Sequence, residues 1–172
     1  MKGLAMKIHR SCAISCVLFL LVLGLLPALS AQAKKGGNKY ACSEPNPESQ
    51  CNAGNTCGSS STACAVDVKR TRYSSSATPG IQGAKANALF CVKAGTTVTW
   101  QSSSKNTGFL VDFGPTSPFD PDDPIMGGSK KAVTVKTVKP GCYMYAFQAT
   151  DSTGLYGMSQ ATHAELIVVS GE

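Results

Sequence analysis

From Cys64 onward, apolar and polar positions alternate with a period of two, in runs too short for helices. In Ala65–Thr71 the apolar positions are Val66 and Val68. Leu89–Val92 and Thr96–Trp100 are rich in β-branched and aromatic residues, with Lys93, Ala94 and Gly95 turning the chain between them. Phe109–Phe113 is a third such run, and Ala132–Val138 alternates through Val133 and Val135. Pro140 and Gly141 lead into Cys142–Gln148, and Ala164–Val169 closes the series. Three stretches read as loops: the Ser/Pro/Gly-rich Tyr73–Ala86, the polar Ala149–Gln160, and the long Gly114–Ser129. The last contains Pro115, Pro118, Pro121, Pro124 and a Gly127–Gly128 pair. No segment keeps a helical period over a useful length. Many short strands joined by Gly/Pro turns predict an all-β sandwich or barrel.

Upstream of Cys64 the pattern is different. Met1–Arg10 carries Lys2, Lys7 and Arg10, Ser11–Ser30 is almost wholly apolar, and Ala31-Gln32-Ala33 has small residues where a signal peptidase cuts. Residues 1–33 therefore read as a signal peptide, with retention as an N-terminal anchor as the alternative. After it, no segment is apolar enough to span a bilayer. Residues 34–63 are rich in Gly, Asn, Ser, Pro and Cys and poor in large apolar side chains. Such a stretch cannot bury a core, so it is expected to be a stapled N-terminal extension. Residues 64–172 form the folded domain.

Charge excludes more than it suggests. Three of the 16 Lys+Arg lie in the leader, which leaves 13 against 10 acidic residues, a net charge of +3. No basic run exceeds two residues and none interleaves with aromatics, so a nucleic-acid partner is not expected. Cysteine usage says more. Six of the 8 cysteines follow the leader: Cys42, Cys51, Cys57, Cys64, Cys91 and Cys142. An even number behind a secretory leader favours disulfides in a secreted or periplasmic protein. A zinc reading fails because no C-x-x-C is present and only one histidine follows the leader.

Gly95-Thr-Thr-Val-Thr-Trp100, Gly141-Cys-Tyr-Met-Tyr145 and Gly157-Met158 are spaced as in the cupredoxins, the blue-copper β-sandwiches, and residues 64–172 resemble that family. The resemblance implies a Greek-key β-sandwich whose last strand is Glu165–Val169. It also implies where copper ligands belong: a histidine several residues after the tryptophan, a cysteine two residues after the second aromatic, a histidine in the following loop, and an axial methionine. A type 1 site needs two His and one Cys. This chain has Asn106, Thr107 and Gly108 at the first place, Phe147 at the second, and no histidine in the loop before Gly157. Only Met158 matches, and His163 is the single histidine after the leader. A conventional blue-copper site is therefore not expected, and no cofactor is implied.

Tyr143, Tyr145 and Phe147 share one face of a strand, Cys142 and Met144 the other. The resemblance turns the aromatic face inward, so that Phe147 fills the space a thiolate would occupy; three ordinary core aromatics is the plainer, favoured reading. By the same phase Cys91 points away from Phe90 and Val92. Six cysteines allow about 15 connectivities. A Cys91–Cys142 bridge is favoured, worth on the order of 4 kcal/mol by loop closure. The alternative has each of the two tacking the extension onto the domain.

The remaining candidates are weaker. Asp120, Asp122 and Asp123 form an acidic cluster, but they lack the glycine and glutamate of a calcium loop and read first as a solvated loop. Met126, Met144, Met158 and His163 could supply soft ligands to Cu(I), against a background of ordinary packing. A lone histidine and the absence of G-x-S-x-G argue against an enzyme. The expectation is a secreted, disulfide-stabilised binding or structural module without type 1 copper, its partner a protein or glycan outside the cytoplasm. The alternative is a periplasmic or extracellular copper-handling protein using Met158 and His163.

Overall fold

The computed structural model describes residues 42, 44–122, 124–157 and 164–171. The expected leader lies outside the described residues, as do Asp123, Met158 and His163. A short 3-10 turn, Pro47–Gln50, precedes eleven strands. They are β1 (Cys64–Arg70), β2 (Ser75–Pro79), β3 (Phe90–Lys93), β4 (Thr97–Gln101), β5 (Gly108–Asp112), β6 (Phe119–Asp120), β7 (Ile125–Gly128), β8 (Val133–Thr137), β9 (Gly141–Asp151), β10 (Gly154–Gly157) and β11 (Ala164–Val169).

Two sheets form a sandwich. One has the order β2-β1-β4-β8-β6, the other β3-β11-β9-β5-β7, with β10 paired to β9. The chain crosses repeatedly between them, and the β1/β4 and β3/β11 pairs are parallel. That is Greek-key connectivity, as expected, not a meander. Between the sheets lie Val66, Val68, Phe90, Val92, Val98, Trp100, Phe109, Val111, Tyr145, Phe147, Leu166 and Val168. These are the alternate positions that the period-2 pattern assigns to the inner face.

Four strands occupy stretches expected to be loops. In β2, Ser75, Ser76 and Ala77 are buried. Their small side chains let the strand lie against β9, where the Ser75 hydroxyl donates to the Phe147 carbonyl at 3.3 Å. β6 and β7 divide the proline-rich loop. β9 runs on to Asp151 and turns back as β10, because Asp151 accepts from the backbone N–H (2.8 Å) and hydroxyl (2.6 Å) of Thr153 and Gly154 follows at positive φ. A short polar stretch with Asp and Gly is a hairpin signal, so β10 was readable.

The three disulfides are Cys42–Cys142, Cys51–Cys91 and Cys57–Cys64. The favoured Cys91–Cys142 bridge is therefore wrong. Register gives the reason: Ile167 of β11 stands opposite both Cys91 of β3 and Cys142 of β9. The two cysteines sit in one cross-sheet row, two strand spacings or about 9.6 Å apart, too far for a disulfide. Each instead holds the extension, which covers the outer face of this sheet. Its 3-10 turn packs on β11, and Cys91, Met144 and Ile167 are buried although they point away from the core.

Two sheet edges are closed by the chain itself. Thr56 of the extension bridges β3 in parallel: the Cys57 N–H donates to the Cys91 carbonyl (2.8 Å), and the Cys91 N–H to the Asn55 carbonyl (2.9 Å). On β2, the Ala77 N–H donates to the Asn87 side-chain carbonyl (2.9 Å), and the Asn87 N–H donates back to the Ala77 carbonyl (2.7 Å). Asn87 has φ 60°, a conformation that asparagine tolerates better than most residues.

Candidate functional site

Phe147 lies where the resemblance would place a thiolate. It is 1% exposed and stands opposite Val111 in the β5/β9 ladder. Tyr145, two residues back on the same face, has its ring 5.9 Å from Phe147, 5.4 Å from Trp100, 5.1 Å from Phe113 and 6.5 Å from Phe90. Phe113 in turn packs edge-on against Phe119 at 5.2 Å. The slot is a continuous ring cluster, stabilised by area burial and by edge-to-face contacts.

Two polar atoms in this cluster find no partner among the described residues, the Tyr145 hydroxyl and the Trp100 indole nitrogen. Burial alone pushes the Tyr145 phenol far above its ordinary range, because a phenolate here would give up its hydration.

Among the described residues the candidate ligands do not converge. Gly108 stands opposite Thr150, three residues along β9 from Phe147, so Gly108 lies about 10 Å from that position. Met126 is 63% exposed on β7, while Met144 is buried on β9 under the extension. The ladders separate these two by two strands and four residues, on the order of 15 Å. Asp120 and Asp122 are exposed. Among the described residues no three His, Cys, Asp or Glu side chains are grouped as for a metal ion.

Two surface features were not anticipated. At one end of the sandwich Arg70 donates to Asp151 (2.7 Å) and to the Tyr156 hydroxyl (3.2 Å), with its guanidinium 4.2 Å above the Tyr156 ring. This clamps the β9/β10 hairpin onto β1. The Thr153 hydrogen bonds and the Arg70 charge hold the Asp151 carboxyl below the usual range. The second feature is an open flank between β7 and β8. There Pro121, Pro124, Ile125, Met126, Val133 and Val135 line a groove of about 370 Å³. Val133 and Val135 face the core but remain only partly buried. Spaced prolines beside an alternating strand hint at such a flank without defining it.

No protein-family model matches the sequence, and no curated protein matches it. Solved structures of similar shape include an amicyanin mutant in its reduced Cu(I) form at pH 4. That protein is 13% identical over 75% of this chain and 95% of its own, with a TM-score of 0.35. Another is one chain from a structure of a heme-copper terminal oxidase dimer, 13% identical over 91% of this chain and 95% of that one, with a TM-score of 0.33. Likenesses this distant carry no functional assignment. The sandwich itself stands on its strand ladders, and among the described residues no helix is long and apolar enough to cross a membrane.

Proposed function

We propose that this chain is a secreted, disulfide-stabilised, cupredoxin-like sandwich that acts as a binding or structural module and carries no type 1 copper. The observation that carries the reading is the fate of the sulfur. All six cysteines after the leader are paired with one another, and the ligand position itself holds a buried phenylalanine. Blue copper depends on a thiolate, and an oxidised chain has none to offer. Three disulfides fit an oxidising compartment outside the cytoplasm. Binding is the favoured role because an open apolar flank remains between β7 and β8.

The test is metal content. Oxidised protein is incubated with Cu(I) and separately with Cu(II), desalted, and analysed for copper and for thiolate-to-copper charge-transfer absorption. The expected result is substoichiometric copper and no such band. Stoichiometric copper that disappears on Met158→Ala or His163→Ala would establish the copper-handling alternative instead.

A further inference from the structure

The outer edge of β8 is only half covered among the described pairings. β6 is two residues long and pairs only with Thr137 and Lys136 of β8. Residues 133–135 run past its end. The Thr137 N–H donates inward to the Thr96 carbonyl, and its own carbonyl accepts from Gly95. Backbone direction alternates along a strand, so Val135 and Val133 also bond inward to β4, and Thr134 directs its N–H and carbonyl outward. Directly inside this edge lies the groove whose floor is Val133, Val135 and Ile125, with Met126 exposed at the rim. The edges of β2 and β3 are capped by Asn87 and Thr56, and no such cap covers Thr134 among the described pairings.

We propose that the Thr134 edge and the adjoining groove bind an extended peptide segment of a partner protein by strand addition. An outward N–H and carbonyl on a strand call for another extended backbone, and inward-pointing alternate side chains of that strand would enter the apolar groove. Charge sets the polarity. Exposed Lys130 and Lys131 lie at the start of β8, while at its far end exposed Asp120 and Asp122 are offset by exposed Lys136 and Lys139. The matching segment has apolar alternate residues and an acidic end toward Lys130 and Lys131. The inference deepens the binding-module reading and rests on it.

The probe is a capped heptapeptide of alternating valine and threonine, with two aspartates at one end. It is titrated into isotope-labelled, oxidised protein and followed by amide shifts and hydrogen exchange. Saturable shifts confined to residues 125–136, with slowed exchange at Thr134, are expected. Thr134→Pro removes the outward donor at an edge position where proline is tolerated, and should weaken binding about tenfold with an unchanged circular dichroism spectrum. Lys131→Glu should weaken it about fivefold. Absence of saturable binding, shifts on another face, or equal affinity in Thr134→Pro would overturn the proposal. So would sedimentation showing that the protein alone dimerises through this edge, which would make a second copy the occupant. Copper analysis of the same sample separates the two readings: bound copper with intact peptide binding removes the copper-free reading alone, and a copper-free sample that ignores the peptide removes this one alone.

Discussion

Replacing Tyr145 with phenylalanine should make this protein more stable, which is the reverse of the usual outcome for a core tyrosine. The hydroxyl is buried and unpartnered among the described residues. Mutational data put the cost of burying such a group at about 1–3 kcal/mol. Removing the oxygen also removes its dispersion contacts, a loss of about 0.5 kcal/mol, while the ring contacts to Trp100, Phe113, Phe90 and Phe147 are kept. The net gain is about 1 kcal/mol, or about 3 °C in Tm for a domain of this size. Alkaline pH provides a second readout. The phenol's ordinary value is 10.0, and burial raises it in the folded state. Below the ordinary value both states hold the proton, so the group makes no pH-dependent contribution. Above it the unfolded chain loses the proton and the folded chain keeps it, so stability falls by about 1.4 kcal/mol per pH unit until the folded phenol ionises. The variant lacks this term, so its advantage should widen between about pH 10 and about pH 11. Urea denaturation of oxidised protein across that range measures both effects. A variant less stable by 1 kcal/mol or more at neutral pH, or alkaline slopes that superimpose, would refute the reasoning.

Two further outcomes follow from the edges and the staples. Asn87→Ala deletes the bond from the Ala77 N–H and places a residue that disfavours positive φ at 60°; the urea midpoint should fall by the equivalent of about 2 kcal/mol, with Asn87→Gly recovering part of it by relieving the backbone. Converting Cys42 and Cys142 together to serine opens a sequence separation of 100, worth at most about 4.7 kcal/mol, whereas the Cys57/Cys64 pair spans 7 residues and is worth about 2 kcal/mol. Chemical denaturation should rank the two variants in that order, and exchange at Ile167 should quicken only in the first.

The inner face of the sandwich was legible because it rests on period-2 burial. Val66 and Val68, Val98 and Trp100, and Tyr145 and Phe147 all fall inward as their spacing requires. What was missed does not depend on hydrophobic alternation. β2 is held by small buried serines and a side-chain cap, β6 is only two residues long, and β10 is made by an aspartate turn. The disulfide partners could not be read from phase alone. Phase correctly put Cys91 and Cys142 on the same outer face, but only the strand order shows β11 between them. A hint was present in Leu166–Val169, four consecutive apolar residues in a strand, which signals burial on both faces. Something had to cover the second face, and the extension does. The ligand positions were legible as absences, but their spacing was not: the ladder separates Gly108 from Phe147 by three residues.

The connectivity of the three disulfides also sets an order of events in biosynthesis. The loops sit inside one another like brackets: 57–64 within 51–91, and that within 42–142. No loop has to be threaded through another. As the chain emerges from its N-terminus, Cys57 can pair as soon as Cys64 appears, but Cys51 must stay available until Cys91 emerges, and Cys42 until Cys142. During that interval Cys42 and Cys51 are near neighbours in sequence, and a short wrong loop between them is entropically cheaper than either native one. A 42–51 loop, once closed, would have to be undone by thiol–disulfide exchange before both ends of the extension could reach the row that β3, β9 and β11 align.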